Sequence, residues 1–310
     1  PDFVVYCWGN RSVVPEISRN GNPSKTFPIK VDGISASKII RFSLYSGMAC
    51  SLSLDDKIWC WGAPQSNWLV QMIPVSEPAI SLFTCEYHVC AILSSGNIIR
   101  IQPNIDKFQT YNIPSDGHRF REISAVPYFE TMCGVDQNMS MWCRGKNTYG
   151  LAGTGADSSV QYSTWSQVSP QRYWLTVHGG PSAFCALDVE HDLYCWGMIN
   201  SRTIDQPTRV NAEYKYVSIS GKGGTVCLGL QDLSLHCFSP DMTNSMKVVT
   251  EISGSSVFAG GGVICATSEN IVARCVTNSP WNIIGARADG SLESPYVFSN
   301  PTTDVDVRLP

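Results

Sequence analysis

Ten residues separate the members of five cysteine pairs: Cys50 and Cys60, Cys133 and Cys143, Cys185 and Cys195, Cys227 and Cys237, Cys265 and Cys275. Aligned on them, the chain repeats itself: CSLSLDDKIWCWG from Cys50, CGVDQNMSMWCRG from Cys133, CALDVEHDLYCWG from Cys185, CLGLQDLSLHCFS from Cys227 and CATSENIVARCVT from Cys265. A sixth segment, CAILSSGNIIRIQ from Cys90, keeps the frame but has Arg100 where the second cysteine would stand. First cysteines follow one another at steps of 40, 43, 52, 42 and 38 residues, a period suited to one four-stranded propeller blade.

Each segment reads as a hairpin: two alternating runs around a polar turn such as Asp55-Asp56, Ser95-Gly96 or Asp136-Gln137. Residues ten apart across such a turn face each other. A non-hydrogen-bonded antiparallel pair brings Cα atoms to about 4.5 Å, inside the range of about 4.4–6.8 Å that a disulfide needs. Spacing and hairpin therefore support each other, and disulfides within blades are expected. Cys7, Cys85 and Cys90 stand outside the regular pairs. Bridging Cys85 to Cys90 across Glu86–Val89 leaves Cys7 as the odd thiol, either a buried free cysteine or one with an intermolecular partner.

The chain ends bear on closure. From Cys275 to Pro310 and on from Pro1 to Cys7 is a walk of 42 residues, again on the period. Val307–Pro310 joined to Pro1–Gly9 overlays the hairpin frame, with Tyr296-Val297 in the place of Tyr216-Val217. The expected fold is therefore all-β: a seven-bladed β-propeller closed by N- and C-terminal strands sharing one blade. Residues 1–310 would form a single domain, with blade hairpins near 50–62, 90–102, 133–145, 185–197, 227–239 and 265–277, and a closing blade of 296–310 plus 1–9.

Cys185-Ala186-Leu187 followed by Tyr194-Cys195-Trp196-Gly197 resembles the repeat of the regulator-of-chromosome-condensation family, particularly its cysteine-bearing extracellular and bacterial members. The resemblance runs through essentially the whole chain. Blade two lacks Trp-Gly, and Phe238 and Val276 replace the tryptophan in the last two units. Gly145-Lys146-Asn147-Thr148-Tyr149-Gly150-Leu151 is the best copy of the family's turn after the hairpin. The family includes a nuclear guanine-nucleotide exchange factor, a secreted β-lactamase inhibitor and the ectodomains of plant Crinkly-type receptor-like kinases. The resemblance implies fold more strongly than function, because propellers host unrelated activities.

Composition narrows the function. A net charge of -4 supplies no basic patch for nucleic acid, and no apolar run is long enough to span a bilayer. Thirteen cysteines, five pairs of them in hairpin register, point to an extracellular or cell-surface setting. The chain starts at Pro1 without a signal-peptide pattern, consistent with processing or trimming. Asn10-Arg11-Ser12 and Asn138-Met139-Ser140 are glycosylation candidates.

No enzyme, cofactor or metal is expected. None of His88, His118, His178, His191 and His236 has a partner at zinc-ligand spacing. His191-Asp192 reads as a hairpin turn, His178-Gly179-Gly180 as a strand end, Gly153-Thr154-Gly155 as a repeat turn, and Asp304 and Asp306 as strand alternation. The tryptophans after the hairpin cysteines read as inter-blade packing. Trp68, Trp165, Trp174 and Trp281 lie off the frame and are interface candidates where exposed. Two functions remain. One is an extracellular recognition module binding a protein or peptide through propeller-face loops, with the insertions at 10–38 and 146–173 as places for specificity. The other is a structural subunit of a surface assembly capable of self-association; nucleotide exchange ranks below both.

Overall fold

The computed structural model describes residues 6–10, 24–31, 33–34, 39–45, 48–62, 70–85, 88–104, 107–199, 201–211, 215–222, 225–238, 247–249, 253, 256–260, 263–267, 273–277 and 296–297. They divide into two compact units, with the boundary between Arg121 and Glu122. In the first unit β1 (Tyr6–Asn10) and β2 (Ser24–Lys30) form a two-stranded sheet. The first blade follows, with β3 (Ile39–Tyr45), β4 (Met48–Ser53), β5 (Ile58–Gly62) and β6 (Gln71–Ile73). The second blade has β7 (Ala79–Cys85), β8 (His88–Leu93), β9 (Ile98–Pro103) and β10 (Phe108–Ile113).

The second unit carries the rest. The third blade is β11 (Phe120–Val126), whose first residues precede the boundary, with β12 (Thr131–Asp136), β13 (Met141–Lys146) and β14 (Gln161–Val168). In the fourth are β15 (Trp174–Gly179), β16 (Ala183–Asp188), β17 (Leu193–Ile199) and β18 (Arg202–Asn211). β19 (Tyr216–Lys222), β20 (Thr225–Leu230), β21 (Leu235–Phe238) and β22 (Lys247–Val249) make the fifth. The last four-stranded sheet is β23 (Ser256–Gly260), β24 (Val263–Thr267), β25 (Ala273–Thr277) and β26 (Tyr296–Val297).

The described residues form six four-stranded sheets and the β1–β2 pair, not seven blades, and the expected shared closing blade is corrected by the strand pairing. β1 pairs with β2, within the stretch read as an insertion, setting Cys7 opposite Ile29. β26 pairs with β25, setting Tyr296 opposite Cys275, so it is the outer strand of the last sheet rather than the first strand of another. The reason lies in the variable length before each outer strand: Ser166 opposes Cys143 but Lys247 opposes Cys237. A residue count alone therefore cannot separate the end of one blade from the start of the next. Residues 298–310 lie outside the described residues.

Five blades each carry one disulfide. Cys50–Cys60, Cys133–Cys143, Cys185–Cys195 and Cys227–Cys237 join the two middle strands, with Cα atoms 4.1 Å apart. The second blade differs. Cys90 there faces Arg100, and it bonds instead to Cys85 on the preceding strand, at a Cα separation of 5.7 Å. Cys265 and Cys275 stand opposite each other in register.

Adjacent positions on a strand point to opposite faces, which explains the Cys-Trp doublet. Cys50 and Cys60 pack in a core with Leu82, Val89 and Ile101 of the following blade. Trp61, one residue on, packs backwards with Val31 and Ala49. In the fourth blade Cys185 and Cys195 face Tyr216 and Leu228 of the fifth, while Trp196 faces Leu151, Ala152 and Val168 of the third. Both of these doublets thus place the cysteine and the tryptophan in different cores. The glycine that follows in the third and fourth blades sits at a bulge. Gly145 and Gly197 have φ of +115° and +104°, and the register shifts at both. A Cβ on Gly197 would lie 2.7 Å from the Ser182 carbonyl oxygen and 2.8 Å from the Ala183 Cα.

The hairpin turns repeat at atomic level. Asp56, Gly96, Met139, His191 and Leu233 all hold φ between +60° and +94°. Each donates its N–H to the carbonyl three residues back: Ser53, Leu93, Asp136, Asp188 and Leu230 respectively. Four of the five are not glycine, so these turns carry left-handed strain that a glycine would relieve. The turn also links blades. The Met139 carbonyl accepts the Trp174 N–H at 2.8 Å, and the His191 carbonyl accepts the Tyr216 N–H at 3.0 Å.

Candidate protein-binding surface

A four-stranded antiparallel meander has two edges. One carries the hairpin turn joining strands two and three and the connector to the next blade; the other carries the loops joining strands one and two, and three and four. In the second unit the latter edge of the third blade presents aromatic surface. Tyr128 and Phe129 lie in a 3-10 turn at Pro127–Phe129, between the first two strands. Tyr149 lies in the 3-10 turn Thr148–Gly150, after the third. Phe129 and Tyr149 meet edge to face, with ring centroids 5.4 Å apart. Tyr128 is 67% exposed and Tyr149 37%. Beside them Lys146 and Glu130 pair at 2.9 Å in solvent. Large exposed aromatics are enriched at protein interfaces, and a solvated ion pair beside them suits an interface rim.

That frame is rigid because the loop after the hairpin is tied down from within. Asn147 is buried; its amide donates to the Ala156 and Asp157 carbonyls and its Oδ1 accepts the Ala152 N–H. The Trp196 indole N–H donates to the Leu151 carbonyl at 2.9 Å, and Gly155 donates to the Asp205 carbonyl at 2.9 Å. Gly150 packs against the Asp205 backbone. Much of the 146–173 stretch is therefore structural turn and strand, and the large hydrophobic side chains it exposes are Tyr149, Val160 and Tyr173.

The opposite edge holds a charge cluster around the fourth hairpin turn. Asp188 Oδ1 accepts the Glu190 and Asp192 N–H groups, and its Oδ2 pairs with Arg172 at 2.7 Å. Arg172 also lies over the Tyr194 ring, 4.1 Å from its centroid. Asp192 Oδ1 takes both Arg209, at 2.7 Å, and Lys215, at 2.5 Å. Burial pushes the Asp192 carboxyl up, but Lys215 and Arg209 outweigh it and hold it below the usual carboxylate range. With both carboxylates matched to cations, the cluster fastens turn to connectors. Asp136 plays the same part in the third blade, accepting the Asn138 and Ser140 N–H groups and the Trp142 indole N–H.

The other residues singled out in the sequence fall as follows. His191 sits in the fourth turn with Nδ1 2.9 Å from the Tyr216 carbonyl oxygen. Gly179 donates to Ser124 Oγ and Gly180 to the Ala183 carbonyl, so the strand end at His178 spends both amides internally. Thr154 bonds the Tyr162 hydroxyl, and Gly153 donates to the Gly150 carbonyl. Trp165 and Trp174 are buried. Asn138 is exposed in the third hairpin turn. Asn10 ends β1, while Trp68, Trp281, Asp304 and Asp306 lie outside the described residues. Among the described residues no three His, Cys, Asp or Glu side chains gather as a metal site, and no helix is long and apolar enough to cross a membrane. Tyr128 is not marked by the repeat; the signal near it is the Asn147–Leu151 turn that presents Tyr149.

No family model matches the chain, and no curated protein matches it by sequence. Solved structures do match in three dimensions. Prp20p of Saccharomyces cerevisiae, the yeast RCC1, is similar over 98% of this chain and 87% of its own, with a TM-score of 0.74 and 14% identity. Human WBSCR16 is similar over 97% and 94%, with a TM-score of 0.73 and 13% identity. The CRINKLY ectodomain of the Arabidopsis thaliana receptor kinase ACR4 is similar over 79% and 81%, with a TM-score of 0.53 and 16% identity. The fold is an all-β propeller. Prp20p has been characterised for binding to Gsp1p and histones and in complex with Kap60.

Proposed function

We propose that this chain is the recognition module of an extracellular or cell-surface protein, binding a protein or peptide partner and performing no catalysis. The observation that carries this reading is the run of five buried disulfides, one in each of five successive blades. Disulfides at that density belong to oxidising compartments. The ectodomain resemblance of the repeats supports the same setting, and propeller relatives that bind proteins support the role. Within the second unit the Tyr128–Tyr149 edge is the docking surface, with Tyr128 its most exposed aromatic.

The test is to capture partners on the immobilised oxidised protein from native extracellular material, identify one, and measure its affinity for the purified chain. Tyr128→Ala is expected to weaken that affinity by tenfold or more, the cost of about 1.4 kcal/mol or more seen on truncating an interface aromatic. Unchanged affinity would remove Tyr128 from the interface. Recovery of the native protein with its thiols reduced would overturn the extracellular reading.

A further inference from the structure

We infer that Asn138 is a modification site carrying an N-linked glycan. This rests on the secretory setting proposed above. Asn138-Met139-Ser140 supplies the acceptor amide and the hydroxyl two residues on that the transfer requires, and the fold places them where a bulky polar group costs nothing. Asn138 is an exposed residue of the turn between β12 and β13. Its backbone N–H is spent on Asp136 Oδ1 at 2.8 Å, whereas its side-chain amide takes no hydrogen bond among the described residues. The turn keeps its shape without that amide: Asp136 Oδ1 also accepts the Ser140 N–H, Asp136 donates to the Ser140 carbonyl, and Met139 donates back to the Asp136 carbonyl. A glycan there therefore replaces only water.

The turn also lies at the edge of the third blade opposite Tyr128 and Tyr149, since hairpin turns and the other loops occupy opposite ends of an antiparallel meander. Glycan and partner surface do not compete. In the transfer the Asn138 side-chain nitrogen forms a bond to the anomeric carbon of a lipid-diphosphate-linked oligosaccharide. The bond from that carbon to the diphosphate oxygen breaks, the lipid diphosphate leaves, and the amide loses one proton.

The test is secretion of the full chain from a eukaryotic host, followed by peptide mapping before and after a glycosidase that converts a glycosylated asparagine to aspartate. The expected result is conversion at position 138 in most molecules, abolished in both Asn138→Gln and Ser140→Ala and retained in Ser140→Thr. Secreted, disulfide-bonded protein with unmodified Asn138 overturns the inference and leaves the proposed function standing. A chain that emerges with reduced cysteines overturns both.

Discussion

Removing one cross-strand disulfide measures what these bonds contribute. Cys185 and Cys195, ten apart in sequence and both buried, are the cleanest target. The chain-entropy relation assigns about 2.7 kcal/mol to closing a loop of that length. Deleting the two sulfurs from the core shared with Tyr216 and Leu228 adds about 1 kcal/mol each. Residual hairpin structure in the unfolded chain reduces the entropic part, so Cys185→Ala with Cys195→Ala is expected to lower stability by about 2–5 kcal/mol. Domain stability is only about 5–15 kcal/mol, so reducing all five bonds is expected to unfold the protein near body temperature. Equilibrium unfolding in urea, read by tryptophan fluorescence, gives the midpoint and slope for wild type and double variant. A loss below about 1 kcal/mol, or a reduced wild type that stays fully folded, would refute the reasoning that the disulfides sustain the blades.

Three further outcomes follow from the geometry. Gly197→Ala meets the Ser182 carbonyl and a positive φ and is expected to cost about 2–5 kcal/mol, whereas Gly117→Ala, also at positive φ but with nothing within 4 Å, costs only about 1; equal midpoint shifts would contradict this. Leu233→Gly relieves a left-handed turn residue and is expected to raise stability by about 0.5–1 kcal/mol, measured by the same unfolding curves. Burial pushes the His236 imidazole below its ordinary value of 6.5, with Asp232 opposing, so the unfolded chain binds more protons there. Stability is then full above about pH 6.5 and falls as pH drops below it, and His236→Leu is expected to flatten the curve between about pH 7 and 5.

The repeat was legible because one short pattern had to satisfy several constraints at once. Cysteines ten apart require a hairpin with a fixed turn, and a Cys-Trp doublet buries one side chain on each face of its strand. The strand order at the ends was not legible. The length before each outer strand varies, so the period admitted Tyr296-Val297 either as an outer strand or as the start of another blade, and only hydrogen-bond partners decide. The strand at Ser24–Lys30 was hidden for a similar reason, being a single pairing segment inside a loop without the repeat's cysteines. Asn147 stood in a recognisable turn, but its three hydrogen bonds to Ala152, Ala156 and Asp157 depend on backbone groups no motif names. Tyr128 and Phe129 acquire meaning only when folding brings Tyr149 beside them.

The most direct test of the account is the thiol state of the protein as its native source makes it. Material quenched at once with an alkylating reagent, digested without reduction and mapped by mass is predicted to show Cys50 linked to Cys60, Cys85 to Cys90, Cys133 to Cys143, Cys185 to Cys195 and Cys227 to Cys237. The same ten cysteines recovered alkylated as free thiols would contradict it.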